Sequence, residues 1–469
     1  MTDRIPKAVL IGAASILPFL LAYFAYRRPG YFSSQTYLGG LILLEFLLAG
    51  VCLYRRVFFP VVIIAFLLAG VDLPVGSFWK SARWLFLAVG ALVGTFIMLK
   101  DRLYHFRLFH SVATFVVLTS LISAAVSNYP KVALLKVLSL FLLFLYTATG
   151  ARIAAKGREN RFFGGLIIGC EIFVGATAML SFLGIEAMGN PNSLGEVMGI
   201  VGAPILLWGV LIGESQTVNR RRWVLYLMSL YLTFHSHARA GMAAAFISSC
   251  ILCIALRRYK LVVQGVVVLL ILFAAGAIFR PESLDSLVTS TLYKESGEER
   301  GLLASRETPW NTAVENIREH PLFGTGLGTT AKGGDANEEQ GQFSSSSNIT
   351  AENGSSYLAI VSGVGLVGTL PVLFLLLLIV GKVFRTFMWM RTSGSPLHPA
   401  VPLAIVMVAA LVHATFEDWM FAPGNYMCVF FWSLAFILAD VTPSAPLLPS
   451  HSWHARSVPQ TYGRIPQTP

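Results

Sequence analysis

Apolar runs of roughly 20 residues recur along most of this chain, separated by short loops rich in Arg and Lys. A run of that length crosses the hydrocarbon core as a helix. The apolar positions are continuous and do not alternate, as the strands of a transmembrane barrel would require. Candidate spans cover roughly 8–26, 36–54, 57–72, 83–99, 109–127, 132–150, 163–184, 194–213, 222–236, 239–256, 260–279, 357–381, 398–416 and 424–441. Two of them, 57–72 and 222–236, are short. The pattern predicts an all-α, polytopic integral membrane helix bundle of 12–14 transmembrane helices. Residues 1–279 hold helices 1–11, 280–356 form one large polar loop, 357–441 return as helices 12–14, and 442–469 are a Pro/Ser-rich tail expected to be disordered.

Inside the loop the periodicity changes. Thr308 and Pro309 read as an N-cap and first helical residue. Trp310, Ala313, Val314 and Ile317 follow at helical spacing, and Pro321 closes a short amphipathic helix. Gly324, Gly326 and Gly328 then alternate in PLFGTGLGTT, the mark of a tight turn that exposes backbone. No strand precedes them, so they are not a nucleotide-binding fingerprint. Residues 331–350 are rich in Gly, Ser and acids and are expected to be mobile.

Composition and charge add sidedness. Only 13% of the 469 residues are charged, against about a quarter in soluble domains. The net charge of +11 is not a nucleic-acid signal, because it is spread over short loops: Arg4 and Lys7; Arg55 and Arg56; Lys100, Arg102 and Arg107; Arg152 to Arg161; Arg220 to Arg222; Arg257 to Lys260; Lys382 to Arg391; and the tail. With the N-terminus inside, all of these fall on the cytoplasmic side. Both termini are then cytoplasmic and the 280–356 loop is periplasmic or extracytoplasmic. The first run has no Ala-x-Ala-like cleavage residues after it and reads as a retained helix. The five cysteines all sit in apolar spans, where they pack as small hydrophobes.

The candidate chemistry collects at the outer corners. HSHARAGMAAAF (235–246) places His235, His237 and Arg239 at an outer mouth, against the charge bias. Arg239 suits a phosphate, since guanidinium stays charged and binds it bidentately. A metal site would need a third ligand beside the two histidines. Arg306 sits by the start of the amphipathic helix, where anions are favoured. Lys136, near the outer end of its span, either snorkels to the surface or meets an anionic ligand. GNPNSLGE (189–196) is a turn with Asn192 in it, and Gly195 and Gly199 permit close helix packing. Glu352 and Asn353 stand at the mouth of the helix after the loop, and ATFEDWMFAPGN (414–425) is an acidic, aromatic corner with His413 just inside. Glu45 and Glu171 lie within apolar spans, as functional groups or as protonated carboxyls bonded to a neighbouring helix.

These segments in this order resemble the O-antigen ligase family of bacterial membrane glycosyltransferases, which also includes O-antigen and exopolysaccharide polymerases. The matching residues are GNPNSLG (189–195), HARAGMAA (237–244), SRETPW through HPLFGTGLG (305–328), ENGSSYLAIVSGVGLVG (352–368) and FEDWMFAPGN (416–425). The resemblance implies a glycosyltransferase C-like fold in the bacterial inner membrane. It implies a glycan donor carried on undecaprenyl pyrophosphate and an acceptor glycan or lipid-linked acceptor, in lipopolysaccharide or exopolysaccharide biosynthesis, with other polysaccharide assembly proteins as candidate partners. At the family's usual His position this chain has Glu352, a residue that can also act as general base. Ligase and polymerase activities therefore both stay open. In this reading Glu352 is the first candidate base, with His235 and His237 behind it. Arg239, Arg306 and Lys136 hold the pyrophosphate, and Asn192, Trp310, Gly326, Gly328 and Asn353 support the site. No cofactor, metal or nucleic acid is expected, and direct transfer would invert the sugar. The rival classes are a lipid-linked oligosaccharide flippase or polysaccharide exporter, and an envelope scaffold. A transporter built on inverted repeats would show internal repetition, which this sequence lacks.

Overall fold

Every candidate span from 57–72 onward is a helix. The computed structural model describes residues 58–70, 76–100, 107–185, 188, 190–213, 215–279, 282, 304–329 and 353–443. Spans 8–26 and 36–54, with Glu45 and Cys52, lie outside them, as do Glu352 and residues 331–350. In chain order the helices are α1 (Phe58–Gly70), α2 (Gly76–Lys100), α3 (Leu108–Val126), α4 (Pro130–Ala155), α5 (Glu159–Phe182), α6 (Pro191–Leu211), α7 (Gln216–His235), α8 (Arg239–Ala255), α9 (Tyr259–Phe279), α10 (Ala304–Glu319), α11 (Ser356–Ser393), α12 (Ala400–His413) and α13 (Tyr426–Val441). No β-strand occurs among the described residues. Seven of these helices are long and apolar enough to cross a membrane. The fold is that of a polytopic membrane helix bundle.

Burial follows composition. Helices that are apolar all round belong in the centre of a bundle, and α6, α12 and α13 are buried along nearly their whole length. Trp432, Phe431 and Phe436 of α13 are almost completely inaccessible, and Trp432 packs edge-on to Phe144 of α4 with ring centroids 4.9 Å apart. In contrast, α9 is exposed along most of its length although it is strongly apolar, as a lipid-facing helix would be. Each of α4 and α6 contains one π-turn, at Thr147–Ala151 and Met198–Gly202.

The helix ends sort into two faces. On one, Arg152 of α4 makes a two-pronged ion pair with Asp440 of α13 at 2.6 and 2.9 Å, while Arg107 and Lys382 both donate to the Ala439 carbonyl. These cations meet the negative end of the α13 dipole. Glu171 of α5 is clamped by Arg221 and Arg222 of α7 at 2.5 and 2.8 Å. It is therefore an ion-pair partner that compensates a buried guanidinium, and not an isolated carboxyl bonded to its neighbour. The opposite face gathers the ends near residues 127–130, 188–193, 235–239, 320–329, 353–356 and 414–425.

Candidate functional site

On that opposite face the polar loop and the helix mouths form one assembly. Its centre is a break in α11. Gly365 has φ 64° and ψ −173°, which interrupts the helix about ten residues from its start. A break at membrane depth frees backbone groups that must be satisfied by protein. The glycine turn supplies the partners: Thr325 and Gly326 donate to the carbonyls of Ser362 and Gly363, and Leu366 and Val367 donate to those of Pro321 and Leu322, all at 2.9–3.1 Å. The closeness requires glycine. At Gly326 (φ 104°) a Cβ would lie 2.7 Å from Ser127 Cβ, and at Gly365 it would press into the backbone of Leu322 and Gly324. Ser123 and Ser127 at the end of α3 add hydrogen bonds to Gly363 O and Thr325 O at 2.8 and 2.6 Å. Lys136 Nζ donates to Gly328 O at 2.5 Å. Lys136 thus neither snorkels nor stands alone as an anion ligand; it anchors the turn and retains two further N–H donors.

The amphipathic helix α10 lies beside this assembly. It starts at Ala304, one turn earlier than the Thr308-Pro309 pair suggests, and Pro309 falls inside it. Arg306 consequently sits in its first turn, not ahead of it. Its buried face is also rotated from the expected one: Ala313 and Asn316 are buried, while Val314 is exposed. Tertiary contact decided this, because Trp310 Nε1 donates to Gly354 O at 3.3 Å and Gly354 has no side chain to separate it from Arg306 and Pro309.

Arg306 reaches across to the 414–425 corner and donates to Glu417. Asp418 of the same corner accepts from the backbone and side-chain nitrogens of Asn353 at 3.4 and 3.2 Å. Ser356, the first residue of α11, had no signal in the sequence beyond its position. Its hydroxyl donates to Glu417 O at 2.7 Å and accepts from Trp419 N and Met420 N, both at 3.1 Å. Behind the corner, Trp419 Nε1 donates to the buried His413 Nδ1 at 2.9 Å.

Arg239 is the first residue of α8. It is placed there by small residues. Gly195 of α6 lies against Ser236 and Ala238, and Gly199 against Gly241, so closely that a Cβ at either glycine would overlap them. The predicted use of Gly195 and Gly199 for close packing holds. His237 sits in the turn before Arg239 with φ 52°, whereas His235 is exposed and stacks on Tyr231 at 5.8 Å. Asn192 lies in the first turn of α6, but the cap is Asn190, whose side chain accepts from Asn192 N at 2.9 Å. Among the described residues no group of three His, Cys, Asp or Glu could hold a metal ion.

The arrangement gathers two arginines, a cluster of acids and a glycine turn at one mouth of a helical membrane bundle; the turn is buried against α11 and does not expose its backbone as its sequence suggests. Residues 224–373 match the family described as O-antigen ligase. The matched stretch contains Arg239, Arg306, the glycine turn and the broken helix. No curated protein matches the chain.

Proposed function

We propose that this protein transfers or polymerises an oligosaccharide from undecaprenyl pyrophosphate onto a hydroxyl of an acceptor glycan, at the outer face of the bacterial inner membrane. The observation that carries this reading is the placement of Arg239, at the start of α8, and Arg306, held by Glu417 in the first turn of α10, within the stretch that matches the O-antigen ligase family. Guanidinium is also the group best suited to a phosphate oxygen pair.

In the proposed step an acceptor hydroxyl attacks the anomeric carbon. The bond from that carbon to the pyrophosphate oxygen breaks, its electron pair leaves with undecaprenyl pyrophosphate, and the hydroxyl proton passes to a base. Glu352, next to Asn353, is the first candidate base, with His237 and His235 behind it. Arg239 and Arg306 stabilise the charge that grows on the leaving pyrophosphate, which is where preorganised donors contribute most. Lys136 would assist from the glycine turn. Attack from the face opposite the leaving group inverts the sugar, and the leaving group needs no metal to depart. An apolar cavity of about 630 Å³, lined by Phe59, Ile63, Leu67, Phe173, Val201 and Phe430, is offered here for the polyprenyl tail.

The test uses purified protein in proteoliposomes with an undecaprenyl-pyrophosphate oligosaccharide and an acceptor glycan. The expected result is a larger glycan and released undecaprenyl pyrophosphate, unchanged by EDTA, and lost in Glu352→Ala, Arg239→Ala and Arg306→Ala variants that still fold. Movement of lipid-linked glycan across the bilayer without a new glycosidic bond would instead establish the flippase reading.

A further inference from the structure

The site contains a carboxyl to which the proposed reaction gives no role. Glu196, on the second turn of α6, is only 6% exposed. Its Oε2 is hydrogen-bonded to the Tyr426 hydroxyl of α13 at 3.0 Å, and that hydroxyl also lies 3.3 Å from Ser193 O. Its Oε1 is buried and has no hydrogen-bond partner. A buried carboxyl oxygen left unsatisfied is costly, and native structures rarely carry one without a reason.

Its surroundings indicate what would satisfy it. The preceding residue, Gly195, is in contact with Ser236 and Ala238, so Glu196 stands beside the turn that ends in Arg239. Glu417 of the outer corner is close enough to act on it electrostatically. Three acids at this mouth, among the described residues, differ in one respect. Glu417 is taken up by Arg306 and Asp418 by Asn353, while Glu196 keeps a buried oxygen without a hydrogen-bond partner. A phosphate would be repelled from Glu196 and Glu417 and drawn to the arginines. A single unsatisfied oxygen, with no group of three metal-ligating side chains among the described residues, does not make a cation site. An uncharged hydroxyl, which can donate to one oxygen at modest desolvation cost, fits it.

We propose that Glu196 is a sugar-binding residue, taking a hydrogen bond at Oε1 from a hydroxyl of the acceptor glycan while Tyr426 holds Oε2 and fixes the carboxyl's direction. This rests on the glycosyl-transfer reading of the same site. It divides the mouth into an arginine side for pyrophosphate and a Glu196 side for the acceptor.

The experiment compares wild type with Glu196→Gln, Glu196→Leu and Tyr426→Phe in proteoliposomes. The acceptor is the unextended glycan that accumulates in the host strain after deletion of this protein. Initial rates are measured against acceptor and donor concentration separately. Glu196→Leu is expected to raise the acceptor KM about tenfold or more and leave the donor KM within about twofold. Glu196→Gln, which keeps an acceptor oxygen, and Tyr426→Phe should fall between. Thermal unfolding in detergent identifies any variant that does not fold, and Glu196→Gln, nearly isosteric, remains informative if Glu196→Leu fails. An unchanged acceptor KM, or equal rises for donor and acceptor, overturns the proposal. If wild type forms no glycosidic bond, the transfer reading fails. Calorimetric binding of the same glycan to wild type and Glu196→Leu then decides the sugar site on its own, with equal affinities or no binding counting against it.

Discussion

Arg306 and Glu417 join the surface helix α10 to the corner between α12 and α13, with both side chains partly accessible at 21% and 30%. The same guanidinium is one of the two proposed pyrophosphate ligands, so it has a structural and a functional duty that substitutions can separate. Arg306→Ala should reduce transfer by about 100-fold or more, the scale of losing one preorganised charge-stabilising donor. The exchange Arg306→Glu with Glu417→Arg should restore thermal stability but not transfer. Full activity in the exchanged pair would reduce Arg306 to a tie between elements.

The junction of the glycine turn with the broken helix should be intolerant of side chains. Gly365→Ala must hold a positive φ with ψ −173°, a region nearly confined to glycine that costs about 1–3 kcal/mol, and also displace the backbone of Leu322 and Gly324. We expect a clear drop in melting temperature in detergent and loss of transfer together. Gly157→Ala is the control: it too has positive φ, but nothing lies within 4 Å of its Cβ position, so it should cost only the backbone term. Equal melting temperatures for the two variants would contradict the junction.

On the opposite face, Glu171 compensates Arg222, whose side chain is 6% exposed. Removing one partner of a buried pair strands a charge and costs about 3–5 kcal/mol. Glu171→Leu should therefore be much less stable than wild type. Glu171→Leu with Arg222→Leu should recover most of the loss, since apolar replacement of a whole pair is often neutral. Thermal melts of the three proteins measure this, and a double variant no better than the single one would refute it.

Sidedness can be measured directly. In a background without native cysteines, Ser345→Cys in the long loop should react with a membrane-impermeant maleimide added outside intact spheroplasts. Ser393→Cys, at the exposed end of α11, should react only after permeabilisation. The reverse pattern would invert the proposed topology.

Hydropathy and charge along the chain determined the spans and the alternation of helix ends between two faces, with His237, Arg239 and Arg306 expected together on one of them. These are readable because membrane insertion acts on local segments, through runs of apolar residues and the Lys and Arg beside them. The glycines of 324–328 and 195–199 also announced close backbone approach, though not to what. Only the tertiary structure decided the partners: the turn completing the break at Gly365, Lys136 bonded to Gly328 O, Ser356 stitched to the 417–420 corner, α10 rotated to bury Asn316, and Glu196 held by Tyr426 with its other oxygen buried and unsatisfied. Hydrogen bonds between residues far apart in sequence depend on which helices pack together. In a bundle where nearly every helix is apolar, hydrophobicity cannot distinguish one neighbour from another, and small residues and polar complementarity set the pairing.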